Sequence, residues 1–157
     1  MKDAEKSPVA KVPGARLLLV IAPYYRDIAD QLQRGAEAVA TEAGATLDRV
    51  FVPGAFEIPA AIALAAKTNQ YDGFVGLGCV VRGETSHYDY VCGESARGLM
   101  NLSTFEGLSI GYGILTVENI AQAEERANVA RGDKGGEATR AALAMIALRR
   151  RFAETKK

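Results

Sequence analysis

The sequence contains no tryptophan, one histidine, two cysteines and no net charge, because 19 basic residues balance 19 acidic ones. Each shortage removes a class of function. Balanced charge speaks against nucleic-acid binding, which needs a basic excess or stripe. The single histidine, His87, and two cysteines at no metal-ligand spacing, Cys79 and Cys92, leave too few donors for a zinc or iron centre. Two cysteines in apolar surroundings make no disulfide framework and suggest a reduced, cytoplasmic chain. No apolar run approaches the roughly 20 residues of a membrane-spanning helix. The opening MKDAEKSPVAKVPGA is polar, carries acids and lacks an apolar stretch, so it is not expected to be a secretory signal. What remains is 157 residues, 48% hydrophobic and 24% charged, the make-up of one globular domain.

Residues 1 to 14 carry two prolines and no apolar periodicity, and read as a flexible N-terminal arm. Residues 15 to 157 read as a single domain. Leu17 to Ile21 is a short continuous apolar run before Pro23, which suits a strand buried on both faces. Ile28, Leu32, Gly35, Ala36 and Val39 then recur at helical spacing, and Gly44 closes the helix. Thr46 to Val52 predicts a second strand, stopped by Pro53-Gly54. Ile58 to Lys67 predicts a helix with Pro59 in its first turn. Gly73 to Val81 and Leu108 to Leu115 predict two more strands, with a helix over Tyr88 to Leu102 between them. Val117 to Ala130 and Glu137 to Arg151 predict the last helices, the second with an apolar stripe of Ala141, Ala142, Met145, Ile146 and Leu148. Strands alternating with helices specify an α/β chain, with a mainly parallel four-stranded sheet covered by helices on both faces. In such sheets ligands bind beyond the carboxyl ends of the strands.

The residues just past those ends are the chemically richest in the chain. Gly83-Glu84-Thr85-Ser86-His87 leads from a strand into a helix, where small residues and a helix N-terminus favour an anion. Ordinary capping by Thr85 or Ser86 is the plainer explanation. Histidine exchanges protons nearest neutrality, so His87 is the candidate acid–base group. Val52-Pro-Gly-Ala-Phe-Glu-Ile-Pro59 is a rigid turn that presents Phe56 and Glu57 together. It could grip a hydroxylated ligand, or simply bury Phe56 and cap a helix with Glu57. Tyr24 and Tyr25 could stack on a flat heterocycle. Arg126 and Lys134 flank a polar stretch and are candidates for phosphate.

Together these strings resemble the lumazine synthase family of riboflavin biosynthesis. The resemblance rests on Val52 to Pro59 and on Leu77-Gly-Cys-Val-Val-Arg-Gly-Glu-Thr-Ser-His-Tyr-Asp-Tyr-Val-Cys92. Gly113-Ile-Leu-Thr116 with Glu118-Asn119, Glu125-Arg126-Ala127 and Lys134-Gly135 extend it. It implies a flavodoxin-like three-layer αβα sandwich and a transferase that condenses 5-amino-6-(D-ribitylamino)uracil with 3,4-dihydroxy-2-butanone 4-phosphate. The products would be 6,7-dimethyl-8-ribityllumazine, phosphate and water, with neither metal nor organic cofactor. By the same resemblance Tyr24 would stack on the pyrimidine, while Ala55, Phe56 and Glu57 would hold the ribityl chain and ring. Cys79, Val80 and Val81 would contact the uracil edge through the main chain. Glu84, Thr85, Arg126 and Lys134 would hold phosphate, and His87 would shuttle protons. Tyr112 would reach a neighbouring subunit's site, making the unit a homopentamer or an assembly of pentamers. Tyr25 stands where the family commonly has asparagine, and Gly132-Asp133 where a glycine-asparagine is usual. The alternative is a non-catalytic flavin- or lumazine-binding storage protein of the same fold, for which a proton shuttle would be superfluous.

Overall fold

A computed structural model describes residues 5–155 of the chain. Four parallel strands form its sheet: β1 (Arg16–Ile21), β2 (Thr46–Phe51), β3 (Gly73–Val81) and β4 (Ile110–Val117), in the order β2-β1-β3-β4. Five α-helices connect or follow them among the described residues: α1 (Arg26–Ala43), α2 (Ile58–Ala66), α3 (His87–Phe105), α4 (Ile120–Ala127) and α5 (Lys134–Glu154). This is the predicted three-layer α/β sandwich.

The apolar run in β1 is explained by its place in the middle of the sheet. Leu17, Leu19 and Ile21 face the layer of α1, α4 and α5, whereas Leu18 and Val20 face α2 and α3. All five are buried, each contributing about 2 kcal/mol of hydrophobic stabilisation. The edge strand β2 is mostly exposed, which is why its sequence alternates only loosely.

α1 ends as predicted, with Gly44 in the left-handed region at φ 77° and its N–H returned to the last turn. Other boundaries moved for identifiable reasons. The helix expected over Val117 to Ala130 begins only at Ile120, because Val117 completes β4 beside Val81 and Asn119 caps the helix by accepting from the Gln122 N–H. α5 starts before Glu137 because buried Asp133, with left-handed backbone, accepts from the Gly136 N–H. Its inner face is Ala138, Thr139, Ala142, Leu143 and Ile146. Of the expected stripe only Ala142 and Ile146 are buried, whereas Met145 is 47% exposed.

The expected flexible arm is also corrected over its second half. Val12 is buried in the core, with Val9 and Ala10 against the same cluster. Its N–H donates to Ala43 O at 3.0 Å, and the Gly14 N–H donates to Gly44 O at 3.1 Å. Residues 1 to 4 of that arm lie outside the described residues.

α1 and α5 pack so closely that main chain touches main chain. A Cβ on Gly135 would overlap the Leu32 carbonyl, and one on Gly35 would overlap the Asp133 carboxylate. Gly135→Ala is therefore expected to destabilise the fold by about 1–3 kcal/mol through overpacking. Thermal denaturation followed by circular dichroism checks this, and an unchanged melting temperature would contradict the packing described.

Candidate active site

β3 is longer than β1, and this difference opens the site. The ladder between them ends at Ile21 opposite Leu77, while β3 continues to Val81 against β4. The last link on the β1 side is the Ala22 N–H donating to Leu77 O at 2.9 Å. Main-chain groups of a strand alternate in direction, so Cys79 and Val81 point their N–H and C=O to the side that β1 has vacated. A pocket of about 600 Å³ fills that place, walled by the segments following β1 and β2, the end of β3 and the start of α3.

Each wall follows from local structure. After β1, Tyr24 and Tyr25 form an edge-to-face pair with centroids 4.9 Å apart. Tyr24 is 76% exposed at the rim, whereas Tyr25 packs partly against the core. Burial first, then Tyr24 and Cys79, pushes the Tyr25 phenol up, so it stays protonated at neutrality. Tyr25 also occupies the N-cap of α1 without a side-chain cap bond.

After β2, Ala55–Glu57 form a single 3-10 turn. Ala55 and Ile58 are buried, and Ile58 takes the core position, so Phe56 is left 57% exposed toward the pocket. Glu57 sits at the N-cap of α2, yet its side chain makes no capping bond. The plainer reading of this string, with Phe56 buried and Glu57 capping, is thus not what the chain does. Gly54 leaves room for the carboxylate, since a Cβ there would lie 3.3 Å from Glu57 Oε2.

Cys79, Val80 and Val81 form the floor. Burial, with a smaller effect of Cys92, pushes the Cys79 thiol up to about 11, so at neutral pH it is an uncharged apolar surface. His87 is the first residue of α3 and is exposed to the pocket, its N–H donating to Thr85 Oγ1 at 3.3 Å. Val91, one turn further on, lies on the same helix face and lines the same pocket.

The structure thus gathers Tyr24, Ala55, Phe56, Glu57, Cys79, Val80, Val81 and His87 around one cavity. It leaves Glu84, Thr85, Tyr112, Arg126 and Lys134 outside that lining. Glu84 and Thr85 are exposed on the loop before α3. Arg126 is exposed on α4, where its Nη1 donates to Gln122 O at 3.1 Å, and Lys134 is exposed at the start of α5. Tyr112 on β4 is 48% exposed, its phenol pushed up by burial, then by Cys92 and Tyr88. Sequence reading missed Ala22 and Val91 as lining residues. Ala22 directly follows an apolar run, and Val91 stands four residues after His87, so both carried a positional signal. Among the described residues no three His, Cys, Asp or Glu side chains are grouped as metal ligands would be.

The arrangement offers an exposed ring for stacking, a free carboxylate for hydroxyls, strand amides for a flat polar edge and one proton carrier. Residues 9–150 match the profile of the 6,7-dimethyl-8-ribityllumazine synthase family. A 6,7-dimethyl-8-ribityllumazine synthase of Novosphingobium aromaticivorans is 54% identical over 138 residues, covering 88% of this chain and 99% of its own. The protein named 6,7-dimethyl-8-ribityllumazine synthase 1 of Rhizobium meliloti is 52% identical over 153 residues, covering 94% of this chain and all of its own. One from Methylobacterium radiotolerans is 54% identical over 148 residues, 94% of this chain and 90% of its own. With the profile spanning most of its length and these relatives matching nearly end to end, the chain belongs to the 6,7-dimethyl-8-ribityllumazine synthase family.

Proposed function

We propose that this pocket condenses 5-amino-6-(D-ribitylamino)uracil with 3,4-dihydroxy-2-butanone 4-phosphate to give 6,7-dimethyl-8-ribityllumazine, phosphate and water, the penultimate step of riboflavin biosynthesis. The observation that carries the reading is one cavity uniting an exposed aromatic ring, an uncapped carboxylate, the projecting end of β3 and the chain's one histidine. Amine attack on the ketone, loss of water to an imine, elimination of phosphate, and ring closure with loss of a second water each relocate a proton. His87 takes and returns those protons. The remaining task is holding two substrates so that their union becomes effectively intramolecular.

In this reading Tyr24 stacks on the pyrimidine, and Phe56 and Glu57, with Ala55 behind them, hold the ribityl chain. Cys79, Val80 and Val81 meet the uracil edge, supported by the outward main chain of Cys79 and Val81. Arg126 grips the phosphate with the Glu84 and Thr85 amides and Lys134. Glu84 and Thr85 stand on the loop after β3, Arg126 in the last turn of α4 and Lys134 at the start of α5. The working unit is a ring of five copies in the cytoplasm, in which Tyr112 completes a neighbour's pocket. Support comes from apolar side chains left uncovered on one copy: Leu64, Met100 and Phe105 on α2 and α3, and Phe51 on β2. No helix among the described residues is long and apolar enough to cross a membrane.

Mixing the protein with both substrates should produce lumazine fluorescence and phosphate release together. His87→Ala should turn over roughly 100-fold more slowly without being dead, the usual range for one acid–base group. Arg126→Ala should raise the KM for the butanone phosphate about tenfold through loss of a charge-assisted contact. A protein that copurifies coloured and releases no phosphate would instead be a storage protein. Light scattering should give a mass near five chains or a multiple of it, and a monomer would end the ring proposal. Alkylation of Cys79 by iodoacetamide, followed by peptide mass spectrometry, should be slow at pH 7. It should accelerate about tenfold per pH unit until the thiol titrates near pH 11.

A further inference from the structure

Arg82 is the first residue past β3, and the proposed chemistry leaves it unused. Its main chain is fixed, because its N–H donates to Val117 O at 2.9 Å. The side chain reaches three groups on two other elements. Nε donates to Glu118 Oε2 at 2.7 Å, Nη1 donates to Asp89 Oδ1 at 3.4 Å, and the guanidinium carbon lies 4.2 Å from the centroid of the Tyr88 ring. Tyr88 and Asp89 directly follow His87. Glu118 opens the connection from β4 to α4, and its N–H donates to Gln122 Oε1 at 2.8 Å. Gln122 in turn accepts, at its main-chain oxygen, the Nη1 donor of Arg126.

We infer that Arg82 is a positioning residue for the reaction, one guanidinium that sets the first turn of α3, with His87, relative to the segment that leads to Arg126. The inference rests on the roles proposed for His87 and Arg126. Such a tether is needed because α3 is lightly held at this end. Its buried residues are Ser95 and Leu99, both more than two turns beyond His87. Val91 packs against the core at the start of the second turn, whereas His87 to Tyr90 have no place in it. The orientation of the first turn is thus left to polar and stacking contacts, two of which Arg82 supplies. Arginine suits the position, since lysine has neither a fork for two carboxylates nor a flat face for the ring. Exposed ion pairs add little to stability. The effect therefore falls on alignment, where a displacement of about 1 Å can cost about 100-fold in rate.

The test compares wild type, Arg82→Gln, Arg82→Lys and Glu118→Ala in steady-state kinetics with both substrates, alongside thermal melting and hydrogen exchange. Arg82→Gln should lower kcat about 30-fold and raise the KM for the butanone phosphate about tenfold, with the KM for the ribitylaminouracil within about twofold. Arg82→Lys, still able to pair with Glu118, should recover most of the phosphate KM but little of kcat. Glu118→Ala should raise the phosphate KM and leave kcat within about threefold, since Tyr88 and Asp89 still hold the first turn of α3. Melting temperatures should stay close to wild type. Kinetics unchanged in Arg82→Gln, or both KM values rising together with a fall in melting temperature, would overturn the inference. If the wild type forms no product, the reaction itself is wrong. Hydrogen exchange still decides the tether in that case: faster exchange in the first turn of α3 and over residues 118–126 of Arg82→Gln supports it, and unchanged exchange overturns it.

Discussion

The unequal lengths of two neighbouring parallel strands govern this molecule. β1 has six residues and stops opposite Leu77, whereas β3 has nine and continues to Val81. A strand end that outruns its neighbour exposes main-chain donors and acceptors, which water or a ligand must satisfy. The residues after β1 cannot fill the gap, because Pro23 breaks the ladder and the chain turns away into α1. The turn after β2 closes the far side without covering the amides. The pocket is therefore a missing piece of sheet, floored by β3 and walled by side chains whose conformations their own turns dictate.

The parallel arrangement adds a second effect. Each of β1, β2, β3 and β4 is followed by a helix whose N-terminus lies near the same edge of the sheet: α1, α2, α3 and α4. Their dipoles place partial positive charge there, although the chain as a whole is neutral. Attraction for an anionic substrate thus comes from the direction of the chain rather than from its composition.

Much of this was legible in the residues, for physical reasons. Strands buried on both faces read as continuous apolar runs, so β1 and β3 stand out, and Gly73 to Val81 matched to the residue. Boundaries set by a single cap were harder to read. Asn119 and Asp133 decide where α4 and α5 begin, but Val117 and the glycine pair after Lys134 masked them. The stripe on α5 was misjudged because close approach to α1 and to β4 selects small residues, Gly135 against Leu32 and Ala138 against Gly111 and Gly113, and leaves Met145 outside. Tyr24, Phe56, Glu57 and His87 were legible as lining residues since they sit past apolar runs, where an open sheet binds ligands. Cys79, Val80 and Val81 lie inside such a run and were named only through the family resemblance. Sequence order could not show that Phe56 would stay out of the core, which follows only from Ile58 taking that place. Nor could it show that Arg126 and Tyr112 would stand apart from the cavity of their own chain.

The central position of β1 has a consequence for synthesis. Leu17 to Ile21 are made early, but the sheet cannot enclose them until β3, ending at Val81, has also been made. At roughly 5–20 residues per second the most apolar stretch of the chain waits several seconds for its second neighbour. In that interval only α1, β2 and α2 can shield it, covering its faces in part and one edge, while the edge that β3 will take stays open. A nascent chain stalled before residue 81 would present this strand to other chains or to a chaperone. Codon changes that slow translation between α2 and β3 would then lower the yield of folded protein without altering a single amino acid.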